Sequence, residues 1–131
     1  MKNKDNKTTK LKEITLTSYV DLIEGNPCHI ASVAPGGVAN LAVASDIKVL
    51  DDKTILISNN EMEHTPDNIL ANASVVLTSF NEAWAGLRIT GNAKYYISGK
   101  YFKICDQLFK SDKATPKGAI VIKVKKLESL A

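Results

Sequence analysis

The sequence predicts a mainly β domain, a small barrel of six to seven mostly antiparallel strands with three short helices. Short apolar segments rich in β-branched residues recur along the chain and are separated by turn-forming residues. The first of these segments are joined by links of hairpin length, which favours antiparallel pairing. Closing so many short strands into a barrel removes their exposed edges, so a barrel is the economical arrangement.

The composition is that of a single globular domain. The chain has 131 residues, of which 44% are hydrophobic and 24% charged, and a chain of this length can bury one core. No unbroken apolar run exceeds four residues, far fewer than the ~20 that a membrane-spanning helix needs. The N-terminal segment also lacks the apolar stretch of a signal peptide. We therefore expect a cytoplasmic protein with no membrane association.

The positive charge is concentrated at the N-terminus. Five lysines and one aspartate give residues 1–12 a charge of +4, whereas residues 13–131 carry −1. We expect residues 1–12 to form a disordered basic tail and residues 13–131 to form the domain. Because the domain has no basic excess and only one arginine, Arg88, we expect no nucleic-acid binding.

The first half of the chain predicts one helix followed by extended segments. Apolar residues at helical spacing indicate a helix over residues 15–23, which residues 25–27 end. Residues 35–37, Pro-Gly-Gly, form a tight turn between two strands. A second turn is predicted at residues 51–53. The predicted strands and extended segments are residues 28–34, 38–45, 46–50 and 54–58.

The second half predicts two helices and three strands. Thr65 is expected to cap a short helix over residues 66–72, with Pro66 at its first position and Asp67 near the positive end of its dipole. A second, amphipathic helix is predicted over residues 100–111. Gly91 indicates a bend or bulge in the longest strand. The predicted strands are residues 74–80, 87–97 and 117–127.

Neither the cysteines nor the common motifs indicate a catalytic or metal site. Cys28 and Cys105 are too few for a disulfide framework and lack the spacing of metal ligands. We expect both to be reduced and buried, and we expect no metal. The sequence has no nucleophile elbow, P-loop or Rossmann glycine motif. We therefore assign no side chain a catalytic role.

The strongest local indication of a ligand site is the polar loop and helix start at residues 58–68. The N-terminal end of a helix attracts phosphate groups, and His64 and Thr65 stand at that end. The alternative is that Thr65 only caps its own helix and that His64 faces solvent.

The order of these segments resembles the pyridoxamine phosphate oxidase-like split barrels, and it is closest to the small flavin mononucleotide-binding proteins of that superfamily. The resemblance is carried by residues 48–52, 68–72 and 75–77 and by the strands around residues 89–93 and 117–124. It covers the chain from about residue 17 to residue 127. It implies a split β-barrel that forms a homodimer and binds flavin mononucleotide (FMN) at the dimer interface.

The resemblance also implies where the FMN contacts lie. The phosphate is expected at His64 and Thr65, and the partner subunit's Trp84 is expected to cover the isoalloxazine ring. The ring itself is expected to lie against two strand segments. These segments are Val43, Ala44 and Ser45, and Ile57, Ser58 and Asn59.

The sequence departs from the family pattern at the phosphate. His64 stands where the family usually has lysine or arginine, Glu61 and Glu63 flank it, and residues 38–45 contain no arginine. We expect each lost charged contact to weaken phosphate binding by ~10- to 100-fold. The chain also ends at Ala131 without the C-terminal extension of the true pyridoxamine phosphate oxidases, so that reaction is not expected.

Three functions stay open at this point. The first is an FMN-binding oxidoreductase or electron-transfer protein. The second is a dimeric split-barrel binding module that no longer uses flavin, and the third is a deazaflavin-dependent reductase. Flavin absorbance of the purified protein distinguishes the first function from the other two.

Overall fold

Eight strands and three α-helices make up the part of the chain that the structure, a computed structural model, describes: residues 9–10 and 13–130. The strands are β1 (Thr9–Lys10), β2 (Cys28–Val33), β3 (Ala39–Ala44), β4 (Ile47–Asp51), β5 (Thr54–Asn59), β6 (Ser74–Phe80), β7 (Gly86–Tyr96) and β8 (Gly118–Leu130). The helices are α1 (Val20–Glu24), α2 (Thr65–Ala71) and α3 (Gly99–Phe109), and a 3₁₀ turn, Leu16–Tyr19, precedes α1.

Seven of the strands form one antiparallel sheet in the order β3-β2-β6-β7-β8-β5-β4. This confirms the predicted mainly β, antiparallel split barrel with its three short helices. The two-residue strand β1 pairs with the end of β8, where Thr9 faces Ser129. Residues 1–8, 11 and 12 of the predicted tail lie outside the described residues, so their disorder stays a prediction. No helix among the described residues is long and apolar enough to cross a membrane.

The predicted helix over residues 15–23 is divided into the 3₁₀ turn and α1. Tyr19 has φ −124° and ψ 21°, which interrupts the helical backbone between them. The turn is tied to the β4–β5 hairpin, because the Thr17 backbone N–H donates to Asp52 Oδ1 over 3.1 Å. The Leu16 N–H also donates to the Asp52 carbonyl. These tertiary bonds fix the first turn separately from the five-residue helix that follows.

Two apolar clusters cover the two faces of the sheet. The larger one fills the barrel and includes fully buried Ile30, Leu77 and Ile122. The smaller one lies under α3, where Cys105 packs against Leu56 and its neighbours on β8. Cys28 and Cys105 are both free and buried, as predicted.

The longest strand, β7, bends where the sequence predicts it. The register between β7 and β8 shifts between Thr90 and Gly91, which is a β-bulge. A Cβ at position 91 would lie 2.4 Å from the Lys123 carbonyl oxygen, so only glycine fits this close approach. The bulge lets the β7–β8 pair curve around the core.

Candidate functional site

A surface cavity of about 540 Å³ lies between edge strand β3 and the loop that joins β5 to α2. Its size is within the range of small-molecule and cofactor sites. Its wall is made of residues 40–46, Ser58, residues 60–65 and Ala114. Three separate parts of the chain therefore meet at this cavity.

The β3 side of the cavity combines apolar side chains with an open backbone edge. β3 pairs only with β2 along the sheet, so it is an edge strand, and such strands present N–H and C=O groups on their outer side. Leu41 and Val43 point outward and are 67% and 60% exposed. Asn40 and Ala42 alternate with them and are half-buried.

Asn59 holds the loop on the other side of the cavity. Its side chain is buried, and its Nδ2 donates to Tyr95 Oη over 2.8 Å. Its Oδ1 accepts a hydrogen bond from the Met62 backbone N–H, also over 2.8 Å. Asn59 thus ties the start of the 60–65 loop to the middle of the sheet.

A second chain of polar contacts lines the cavity floor. Ser58 Oγ donates to Asn60 Oδ1 over 2.8 Å, and Asn60 Nδ2 donates to Asp46 Oδ2 over 2.9 Å. Because these side chains satisfy one another, the floor is polar without leaving an unpaired buried group. Both Asn60 and Asp46 are half-buried, and the Asp46 carboxylate has a second oxygen, Oδ1, besides the one that Asn60 contacts.

Thr65 does not cap α2, so the predicted cap is wrong. His64 occupies the N-cap position with no side-chain capping bond, and Thr65 is already helical. The Thr65 side chain is fully buried, and its Oγ1 accepts a hydrogen bond from Asn40 Nδ2 over 3.2 Å. Burial against β3 therefore takes the hydroxyl away from the helix end, and this bond joins α2 to the edge strand.

The charges around the cavity are mostly negative. Asp46, Glu61 and Glu63 line it, and His64 is the basic side chain among the lining residues. Glu61, Glu63 and His64 are exposed, so water and salt screen their charges. A phosphate group here meets no lysine or arginine from this wall, in line with the departure seen in the sequence.

Comparison with known proteins gives the family. Residues 18–131 match the model of the pyridoxamine 5'-phosphate oxidase family. The chain belongs to this family. A curated relative, an uncharacterized protein of Methanocaldococcus jannaschii, is 38% identical over 115 residues, or 85% of this chain and 77% of that protein.

Two solved structures show the same fold at lower identity. HupZ of Group A Streptococcus has a TM-score of 0.78 at 23% identity and covers 85% of this chain and 90% of its own. An FMN-binding protein of Syntrophomonas wolfei has a TM-score of 0.76 at 19% identity, with coverages of 88% and 86%. This chain and these two proteins thus share one fold.

The structure brings together six of the nine residues at which the family resemblance implies FMN contacts. These six are Val43, Ala44, Ser45, Ser58, His64 and Thr65. Ile57 and Asn59 do not line the cavity. Ile57 alternates with Ser58 and points into the main core, while the Asn59 amide is occupied with Tyr95 and the loop.

Trp84 lies apart from this cavity within its own subunit. It is 74% exposed on the β6–β7 turn with φ 65°, and its ring meets the Phe80 ring edge-on at 6.1 Å. Its expected place over the flavin of the partner subunit stays a prediction.

Among the residues that line the cavity, sequence reasoning missed Asn40 and Ala114. Asn40 is an amide inside an otherwise apolar strand, and this was the signal that could have found it.

Proposed function

We propose that the protein binds FMN in the cavity between β3 and the 60–65 loop and acts as a flavin-dependent oxidoreductase or electron-transfer protein. The observation that carries this proposal is the convergence of β3, Ser58 and the start of α2 on one cavity in a member of this family. The FMN-binding protein of similar fold supports the choice of cofactor.

The cavity fits the flavin ring system. An isoalloxazine edge alternates hydrogen-bond donors and acceptors, and the outer edge of β3 offers backbone groups of both kinds near its end at Ala44. Ser58 and Asn60 add side-chain groups on the cavity floor. When bound, the flavin supplies the redox chemistry. The residues of this chain bind the ring, orient it and exclude water from one face.

The phosphate end fits less well, because its surroundings are acidic. His64 is placed to contact the phosphate, while Glu61 and Glu63 beside it oppose a dianion. Thr65 acts mainly by fixing α2 against β3 through Asn40. We expect the protein to bind FMN more weakly than a variant with lysine at position 64 would. We also expect its FMN affinity to rise with ionic strength, because salt screens the charges of the two glutamates.

A homodimer is part of this proposal. Leu41 and Val43 expose large apolar side chains on an edge strand, and such edges are normally covered in soluble proteins. A second copy of the chain lying on β3 covers both and closes the open side of the cavity. An obligate interface of this kind buries at least ~2,000 Å².

The test is a flavin titration of the purified protein, with His64→Lys as the informative variant. A fixed positive charge at position 64 should tighten FMN binding by ~10-fold or more, because a charge-assisted contact contributes ~1.5–3 kcal/mol. Riboflavin, which lacks the phosphate, should bind both proteins equally.

The matched control is Gln107→Lys, which adds the same charge on the exposed side of α3. If FMN binds neither protein, the cavity holds no flavin. If only a deazaflavin binds, the reductase alternative replaces FMN. If His64→Lys and Gln107→Lys act alike, the phosphate lies elsewhere.

A further inference from the structure

A second cavity, of about 370 Å³, lies on the outer face of the sheet where β7 and β8 meet the first turn of α3. Lysines and tyrosines dominate its wall, namely Lys94, Tyr96, Tyr101, Lys123 and Lys125. None of its lining residues is shared with the proposed flavin cavity. The proposed function therefore leaves this site unused.

Strand register gathers these side chains on one face. Asn92 of β7 pairs with Lys123 of β8, and Lys94 pairs with Val121. Because side chains alternate along a strand, Lys94 and Tyr96 lie on the same face as Lys123 and Lys125. The first turn of α3 then brings Tyr101 over this surface.

The ammonium groups converge around one aromatic ring. Lys100 Nζ lies 5.2 Å from the centre of the Tyr101 ring, and Lys123 Nζ lies 6.0 Å from it. Lys123 Nζ is also held by a 3.1 Å hydrogen bond to Thr54 Oγ1. The ammonium of Lys123 is thus fixed in place at the edge of the cavity.

Carboxylates do not neutralise this cluster. Within the described parts of the chain, Lys94, Lys100, Lys123 and Lys125 form no ion pair within 4.0 Å. Asp51 lies within electrostatic reach of Lys123: the Lys53 backbone N–H chiefly lowers the pKa of Asp51, and Lys123 adds to that shift. A positive excess therefore remains in the cavity, and this excess favours an anionic ligand.

The two tyrosines add aromatic surface beside the lysines. The rings of Tyr96 and Tyr101 lie 5.2 Å apart with a 46° angle between their planes, and both are half-buried. Half-exposed aromatic faces bind the rings of planar ligands by stacking. The cavity volume suits a ligand of mononucleotide size.

We propose that this cavity binds a planar aromatic compound that carries a phosphate monoester. The ring stacks on Tyr101 and Tyr96, and the phosphate lies among Lys94, Lys123 and Lys125. Lysine supplies the charge-assisted contacts that a phosphate dianion favours. Because the cavity lies apart from β3 and the 60–65 loop, this site stands whether or not the protein binds flavin.

Calorimetric titration with adenosine 5'-monophosphate tests the proposal. We expect one site per chain and an affinity that falls with added salt. Ribose 5-phosphate lacks the aromatic ring, and adenosine lacks the phosphate. Each should therefore bind at least ~10-fold more weakly than the nucleotide. The double variant Lys94→Gln with Lys125→Gln should weaken nucleotide binding by a similar factor, about 10-fold or more.

The control variant is Lys103→Gln, an exposed lysine of α3 that does not line the cavity. It should leave nucleotide affinity unchanged. Since Lys94 and Lys125 are exposed, their replacement should not disturb folding, which a matching melting temperature verifies. The proposal is overturned if the nucleotide does not bind, if ribose 5-phosphate binds equally well, or if Lys103→Gln weakens binding as much as the double variant.

Discussion

The side-chain amide of Asn40 on β3 donates a 3.2 Å hydrogen bond to the hydroxyl of Thr65 at the start of α2. These two residues are 25 positions apart in the chain, and they join the two walls of the candidate flavin cavity. Thr65 is fully buried, so its hydroxyl depends on this partner. The bond therefore links the stability of the fold to the shape of the site.

Replacing Asn40 should cost both stability and flavin binding. Asn40→Ala leaves the buried Thr65 hydroxyl without its donor, which lowers the free energy of unfolding by ~1–3 kcal/mol. The measurement is urea denaturation combined with FMN titration. Asn92→Ala, which removes an exposed asparagine from β7, is the control and should change stability by less than ~0.5 kcal/mol. Equal losses in the two variants would contradict a specific role for the Asn40–Thr65 bond.

The Tyr95 hydroxyl should be required for the position of the 60–65 loop. Tyr95→Phe removes the acceptor for Asn59 Nδ2. The buried amide then lacks a partner, which lowers the free energy of unfolding by ~1–3 kcal/mol. Asn59 Oδ1 also accepts a hydrogen bond from the Met62 backbone N–H. Because a less firmly held Asn59 protects this N–H less, hydrogen exchange of the Met62 amide should become faster. Tyr96→Phe deletes a hydroxyl from the neighbouring residue and should leave this exchange unchanged. Unaltered Met62 exchange in Tyr95→Phe would show that the loop is held by other contacts.

The sequence predicts the strands and the general place of the site, because both depend on local patterns. Apolar alternation and turn residues give the succession of strands along the chain, and the Gly91 bulge follows from a single glycine. The use of Thr65 could not be predicted in this way. Local sequence favours a threonine hydroxyl that caps its own helix. Only the tertiary packing of Thr65 against β3 shows that its hydroxyl bonds to Asn40 instead. The role of Asn59 could not be predicted from local sequence either, because its partner Tyr95 is 36 positions away.

The Arg88–Glu128 pair should make stability sensitive to acid. Arg88 Nε and Nη2 each donate a 3.0 Å bond to the buried Glu128 carboxylate. These bonds lower the pKa of Glu128 below its usual value near 4.5. The stabilisation is therefore complete above about pH 4.5 and is lost as the pH falls through the lowered pKa.

Glu128→Gln should remove this part of the acid dependence. The free energy of unfolding of the wild type should fall more steeply below pH 4.5 than that of the variant. Thermal melting between neutral and acidic pH measures the difference. Glu82→Gln changes an exposed carboxylate on the β6–β7 turn and should follow the wild-type curve. Parallel curves for Glu128→Gln and wild type would mean that the pair adds no pH-dependent stability.

Cys28 should resist alkylation in the folded protein. Burial raises the pKa of its thiol to about 11, although a hydrogen bond with Ser79 acts in the opposite direction. Burial also raises the pKa of Cys105, so at pH 8 both thiols are protonated and shielded. Iodoacetamide labelling followed by mass spectrometry should modify neither cysteine until denaturant is added. Rapid labelling of Cys28 under native conditions would show that the core opens locally around β2.

The apolar edge strand allows a direct test of the homodimer. Leu41→Glu places a charge on the exposed face of β3, and a charge buried without a partner in an interface is strongly unfavourable. Light scattering should report a dimer for the wild type and a monomer for this variant. Ile97→Glu is the matched control, because Ile97 is also a largely exposed apolar side chain but lies between β7 and α3.

If the partner subunit completes the cavity, wild-type flavin affinity should also rise with protein concentration until dimerisation is complete. A wild-type monomer at micromolar concentration, or equal dissociation of both variants, would remove β3 as the interface and leave the flavin cavity open on one side.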